Sequence, residues 1–170
     1  MKILTFLLLF LYAPAIYAQS SNCEIPKAYV LEEKEDYAPY NQLIVECVQW
    51  LETTSFNQQT NKRKQVQSFI VKWVTGSPTV NVYLSSYPVD VWSADPDKLM
   101  VLFFGGWIRA AIASEFTISD HEAFTEGIRS LLRAYSLEGA PRKTREIRRL
   151  LRAEQKGELS KYLEGKNERS

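Results

Sequence analysis

The chain of 170 residues is 45% hydrophobic and carries 21 basic and 20 acidic residues, with one histidine and two cysteines. This length predicts a single domain with a core of its own, and histidine, cysteine and carboxylate residues do not cluster at a spacing that would bind a transition metal. Neither a G-x-S-x-G elbow nor a glycine-rich phosphate loop occurs, so the sequence predicts no catalytic residues, no metal and no cofactor.

Residues 1–18 are typical of a secretory signal. Lys2 precedes an apolar run from Ile3 to Tyr12, and Ala18 is a small residue at a plausible cleavage point. The run is shorter than the about 20 apolar residues that span a bilayer. We therefore expect a periplasmic or secreted protein that is not an integral membrane protein after cleavage, with a retained membrane anchor as the alternative. An exported chain that is neutral overall also argues against a nucleic-acid partner.

Residues 19–38 form a polar, acidic segment, followed by a helical domain at residues 39–165 and a polar tail at residues 166–170. Cys23 lies in the acidic segment, and Cys47 lies in the first predicted helix. An even number of cysteines in an exported protein favours a disulfide, which would tie the segment to that helix. A free, buried Cys47 and lipid attachment at Cys23 are the alternatives.

Apolar residues at helical spacing predict the first two helices. Pro39 opens the first helix, and its apolar positions are Leu43, Ile44, Cys47, Val48 and Leu51. Asn61 is a candidate cap for the second helix, whose apolar stripe consists of Val66, Phe69, Ile70, Trp73 and Val74. We expect its basic residues to face water, namely Lys62, Arg63, Lys64 and Lys72. Gly76 and Pro78 end this helix, and one short extended segment follows, with alternating Val80, Val82 and Leu84.

Asp95 and Pro96 open a third helix, in which residues 99–104 are apolar on every face. Such a helix is expected at the centre of the fold. Gly105 and Gly106 interrupt it, at about 1 kcal/mol each relative to alanine. This suggests the close approach of a neighbour, such as the helix that carries Trp73. The alternative is a pocket for a small apolar ligand, with these candidate residues: Trp73, Phe104, Gly105, Gly106 and Trp107.

Ser119 and Glu122 match a capping box that opens a fourth helix. A fifth begins near Thr144, and one side of it carries Arg145, Arg148, Arg149, Arg152 and Lys156. Charged helix faces are usually solvated, so this basic side predicts a solvated face, partly paired with Glu146 and with the acidic N-terminal segment. The functional alternative is binding to an anionic surface, on an envelope protein or on lipid. Residues 142–170 carry ten basic and five acidic residues, against ten and fifteen in residues 19–141, so the two parts attract each other.

Three stretches resemble exported helical proteins of Bacteroidota-type bacteria. They are FIVKWVTGSP at residues 69–78, FGGW at residues 104–107 and EQKGEL at residues 154–159, and the resemblance extends over residues 40–163. It implies a small helical fold outside the cytoplasm, and it brings no activity and no catalytic residues with it.

The sequence therefore predicts a mainly all-α, single-domain bundle of about five helices. We expect an exported, non-enzymatic cell-envelope protein that acts by contact with another protein or with the envelope surface. A carrier for a small apolar ligand held between helices is the first alternative, and it requires a pocket of at least about 300 Å³. An unrecognised hydrolase is the second, in which a carboxylate pair such as Glu46 and Glu115 meets in a cleft.

Overall fold

The computed structural model describes residues 22–82 and 89–167, and this part of the chain is an all-α bundle without strands, as predicted. The predicted signal at residues 1–18, Leu84 of the predicted extended segment, and residues 168–170 of the polar tail lie outside the described residues. No helix in the described part of the chain is long and apolar enough to cross a bilayer.

Seven α-helices follow two single-turn 3-10 helices at Lys34–Asp36 and Ala38–Tyr40. They are α1 (Asn41–Thr53), α2 (Thr60–Gly76), α3 (Val89–Trp92), α4 (Pro96–Ala113), α5 (Asp120–Ala134), α6 (Arg145–Gln155) and α7 (Leu159–Asn167). The five predicted helices correspond to α1, α2, α4, α5 and the pair α6–α7. Gly157 separates the last two, because its φ of 71° is a left-handed conformation that ends a helix. The short helix α3 was not predicted.

Neither of two predicted capping residues, Asn61 and Asp95, caps its helix with a side-chain hydrogen bond. Helix α2 begins at Thr60, and its N-cap is Gln59, so Asn61 lies within the first turn and does not cap it. Asp95 does stand at the N-cap of α4, but its side chain bonds no helix N–H. Its carboxylate instead accepts a hydrogen bond from Lys98 Nζ at 2.7 Å. Both helices therefore depend on packing more than on these caps.

Helix α4 is the centre of the bundle, as its all-round apolar surface predicts. It packs against α1, α2, α3 and α5, and the side chains of Leu99, Phe103 and Ile108 are fully buried. The described residues of the predicted extended segment pack on this core as well, since Val80 is buried and Val82 is half-buried. The central helix thus sets the positions of the elements around it.

The predicted close approach at the two glycines is present, but the neighbours are α5 and α1, not the helix that carries Trp73. A Cβ atom added to Gly106 would lie 2.5 Å from Ser130 Cβ and 2.9 Å from Gly127 Cα. A Cβ on Gly105 would lie 2.8 Å from Val48 Cγ2. The absence of a side chain at Gly106 lets α4 approach α5 more closely than any other residue would allow, and Gly105 does the same for α4 and α1.

The N-terminal strap, residues 22–31, packs against α1 and α2. The predicted disulfide between Cys23 and Cys47 is confirmed, with 4.6 Å between the two Cα atoms. At the other end of the strap Leu31 is buried, and its carbonyl accepts a hydrogen bond from the Tyr37 hydroxyl at 3.2 Å. The disulfide and the burial of Leu31 therefore hold the acidic segment on the helical domain.

Arg63 is buried, at 2% exposure, although the sequence analysis placed it on the side of α2 that faces water. Its Nη2 donates hydrogen bonds to the carbonyl oxygens of Thr54 and Ser55. The guanidinium also lies 4.9 Å from the centre of the Phe56 ring, and its burial lowers the pKa of Arg63. Residue 63 precedes Val66 by three positions and therefore lies on the same side of α2 as the apolar stripe. This spacing is the signal that the sequence analysis missed.

Candidate functional site

The candidate contact surface is the outer side of α6. Thr144 caps this helix, because its hydroxyl oxygen accepts a hydrogen bond from the Ile147 N–H at 3.1 Å. Ile147, Leu150 and Ala153 are buried. With its apolar side turned inward against α3, α5 and α7, the helix presents its other side to solvent.

This outer side carries the five predicted basic residues, which are all exposed; we call them the basic face: Arg145, Arg148, Arg149, Arg152 and Lys156. Arg149 Nη1 pairs with Glu146 Oε2 at 3.1 Å, and Arg148 Nη1 donates to the carbonyl of Lys143 at 2.7 Å. Within the described residues, the other three side chains form no hydrogen bond or ion pair. The five basic residues thus form one surface, and most of them have no hydrogen-bond or ion-pair partner among the described residues.

The two acidic residues of α6 are directed toward the protein itself. Glu154 accepts a hydrogen bond from Arg129 Nε of α5 at 2.7 Å, an interaction that raises the pKa of Arg129. Glu146 accepts one from the Tyr162 hydroxyl of α7 at 2.8 Å. These bonds hold α6 in place, although the second oxygen of Glu146 still pairs with Arg149 of the basic face.

The acidic N-terminal segment does not neutralise the basic face. Its carboxylate Asp36 accepts hydrogen bonds from the backbone N–H groups of Glu32 and Glu33, which lower the pKa of Asp36. Among the described elements, the 3-10 helix Lys34–Asp36 contacts the next 3-10 helix and does not reach α6. Of the expected pairing, the described residues show the ion pair of Arg149 with Glu146.

The charges of the basic face have opposing effects on the helix that carries them. Arg145 and Arg149 are four residues apart, as are Arg148 and Arg152, and like charges at this spacing destabilise a helix by about 0.2–0.5 kcal/mol per pair. Arg145 also lies in the first turn, where the helix dipole disfavours a cation. In contrast, Arg152 lies in the last turn, where the dipole favours a cation, and Arg149 pairs with Glu146. Helix stability therefore explains only part of this basic composition.

The five candidate pocket residues do not surround one cavity in the described part of the protein. Trp73 is fully buried, and its indole N–H donates to the carbonyl of Tyr37 at 3.2 Å. The space beside Gly105 and Gly106 is occupied by α1 and α5. Phe104 packs on Phe103, with 6.1 Å between ring centres. Trp107 lines a groove whose volume of about 180 Å³ is below that of ordinary ligand pockets.

A histidine cluster that the sequence analysis missed lies between α5 and α7. His121 Nε2 is 2.8 Å from Ser160 Oγ and 3.5 Å from Glu164 Oε1. In a hydrolytic triad the acid holds one ring nitrogen while the nucleophile meets the other. Here both partners approach the same nitrogen, so the cluster lacks the arrangement that activates a serine.

The carboxylates proposed for a hydrolase lie in different surroundings. Glu46, on α1, accepts a hydrogen bond from Gln42 Nε2 at 3.0 Å. Glu115 is exposed in the loop after α4 and has a φ of 52°. Neither observation indicates a cleft that would hold the pair.

The chain matches no protein family model, no curated protein and no solved structure. A function is therefore best inferred from the surface chemistry of the fold itself.

Proposed function

We propose that this chain is an exported, non-enzymatic cell-envelope protein that works by contact, and that the basic face of α6 binds an anionic envelope surface. The observation that carries the proposal is that five exposed cations share one side of α6. Three of them have no hydrogen-bond or ion-pair partner among the described residues, namely Arg145, Arg152 and Lys156. The disulfide supports export, since such bonds are typical of oxidising compartments. The resemblance to exported Bacteroidota-type proteins agrees with it.

The proposed contact is electrostatic. The apolar residues of α6 are buried in the bundle, so the helix has no apolar face to insert among lipid chains. A basic residue close to an anionic bilayer contributes about 1 kcal/mol. Five such residues on one side of a helix suffice for reversible binding, which salt should weaken because exposed charges are screened.

The test is co-sedimentation of the disulfide-bonded protein with vesicles of phosphatidylglycerol and phosphatidylcholine, compared with phosphatidylcholine alone. We expect binding to the anionic vesicles only, and loss of binding at high salt. Arg145→Gln/Arg152→Gln should weaken it roughly tenfold or more, from about 1 kcal/mol for each charge. These two residues are suitable because no described contact within the fold is lost with them.

The matched control is Lys34→Gln/Lys62→Gln, which removes the same charge outside α6 and should leave vesicle binding almost unchanged. Equal weakening by both variants would show that net charge alone drives binding. Binding to neutral vesicles would contradict an electrostatic contact with the envelope surface. No binding at low salt would also contradict the proposed contact, and it would favour an acidic protein partner.

A further inference from the structure

We propose a second binding site, for a small organic anion with an apolar body, in the groove between the N-terminal strap and α2. This inference is independent of the proposed function, because it concerns a different surface of the molecule. The groove has a volume of about 520 Å³, which lies within the range of ligand pockets, about 300–1,000 Å³. Its lining residues are Ile25, Pro26, Lys27 and Tyr29 from the strap and Lys64, Gln65 and Ser68 from α2.

The groove is preformed, because both of its walls are held by the core. The disulfide fixes the strap at Cys23, and the ring of Tyr29 lies edge-on to Phe69 of α2, with 4.9 Å between ring centres. Tyr40 also contacts the Tyr29 ring, at 6.3 Å. A ligand that enters a site with fixed walls loses little free energy to ordering of the protein.

The chemistry of the lining selects the class of ligand. Ile25, Pro26 and the Tyr29 ring form an apolar wall, whereas Lys27 and Lys64 supply two ammonium groups. Neither lysine forms an ion pair or a hydrogen bond within the described residues. Such a combination of an apolar wall and two lining cations suits a molecule with an aromatic or aliphatic body and a carboxylate or phosphate group.

The surroundings of the groove reinforce its positive charge. Lys72 Nζ lies 5.0 Å from the centre of the Tyr29 ring, and Lys62 lines an adjoining groove. Glu24, which lines the same adjoining groove, has its carboxylate bonded to Asn22 Nδ2 at 3.2 Å. Glu35 and Asp36 line another adjoining groove that shares Tyr29, so the cations are concentrated on the α2 side. Lysines on that side attract anions, and the amide of Gln65 with the hydroxyl of Ser68 can hydrogen-bond them.

The experiment is an NMR titration of the ¹⁵N-labelled, disulfide-bonded protein with 2-naphthoate, and with the neutral 2-naphthamide of almost the same shape. We expect naphthoate to shift the amides of Lys27, Tyr29, Gln65 and Ser68 with saturation, at a Kd of about 1 mM or below. Naphthamide should bind several-fold more weakly. Lys27→Gln/Lys64→Gln should weaken naphthoate binding by roughly threefold to thirtyfold, as expected for two exposed charge contacts.

The control variant is Lys34→Gln/Lys161→Gln, which removes the same charge away from the groove and should leave naphthoate binding unchanged. Shifts that do not saturate, or shifts that centre elsewhere on the protein, would overturn the proposal. Equal affinity for naphthoate and naphthamide would also overturn it, because the site would then recognise only apolar surface. A retained fold of each variant is checked by its amide spectrum in the absence of ligand.

Discussion

The α4–α5 crossing and the basic face of α6 both contain residues that are unfavourable for an isolated helix, but the two regions offset this cost differently. At the crossing, the space left by Gly106 is filled by Gly127 and Ser130 of α5, so packing within the molecule compensates for the glycine. On α6, the like charges have little compensation within the described residues. We therefore interpret the crossing as a contact that stabilises the fold, and this difference is the reason for proposing an external partner for the basic face.

The largest effect is expected at the crossing. Gly106→Ala should lower the free energy of unfolding by about 3 kcal/mol, because the added methyl meets the α5 backbone, which cannot move aside. Denaturant unfolding with a constant m-value measures this. The control is Gly165→Ala on α7, where no atom lies within 4 Å of the added carbon, and where alanine should gain about 0.5–1 kcal/mol. If both substitutions stabilise the protein, the crossing is not tightly packed.

Arg63 extends the comparison to a buried cation that is partly compensated inside the molecule, since its Nη2 is hydrogen-bonded while its Nε and Nη1 have no hydrogen-bond partner among the described residues. Arg63→Ala should cost about 2 kcal/mol, because the hydrogen bonds to Thr54 and Ser55 and the contact with Phe56 are lost. Lys64→Ala, at the exposed neighbouring position, should change stability by less than about 0.5 kcal/mol. Both are measured by denaturant unfolding, and equal effects would mean that the environment of Arg63 contributes no stability.

Gly105 should tolerate alanine better than Gly106, because its neighbour is a side chain. Gly105→Ala should cost about 1–2 kcal/mol through its contact with Val48, whose branched side chain has little freedom to move. A double-mutant cycle with Val48→Ala isolates this contact. We expect Val48→Ala to lower the free energy of unfolding less in the Gly105→Ala variant than in the wild type. Simple additivity would show that Val48 is not the obstacle.

The smallest effect is expected on α6. Arg145→Gln/Arg152→Gln should leave the free energy of unfolding unchanged or raise it by about 0.5 kcal/mol, because repulsion within the helix is relieved. Any gain should shrink at high salt. A loss of more than about 1 kcal/mol would mean that these arginines, like Gly106, are compensated inside the fold.

The sequence by itself determined the features that depend on neighbours along the chain. Helical spacing identified five helices, and the apolar surface of residues 99–104 identified the central one. The capping box of α5 is present, with Ser119 accepting a hydrogen bond from the Glu122 N–H and Glu122 accepting one from the Ser119 N–H. The two cysteines indicated a disulfide that the structure contains. These features are readable because a helix repeats every few residues, so its pattern is complete within a short stretch.

Only the tertiary structure decided which surfaces meet. The cost of two adjacent glycines in a helix indicated a close neighbour for Gly106, but the packing of all the helices selected α5. The same packing enclosed Arg63, turned Glu154 of α6 toward Arg129, and left a groove between the strap and α2. The physical reason is that such contacts join residues far apart in the chain. Their distances depend on how every element fills the common core, and no local pattern records them.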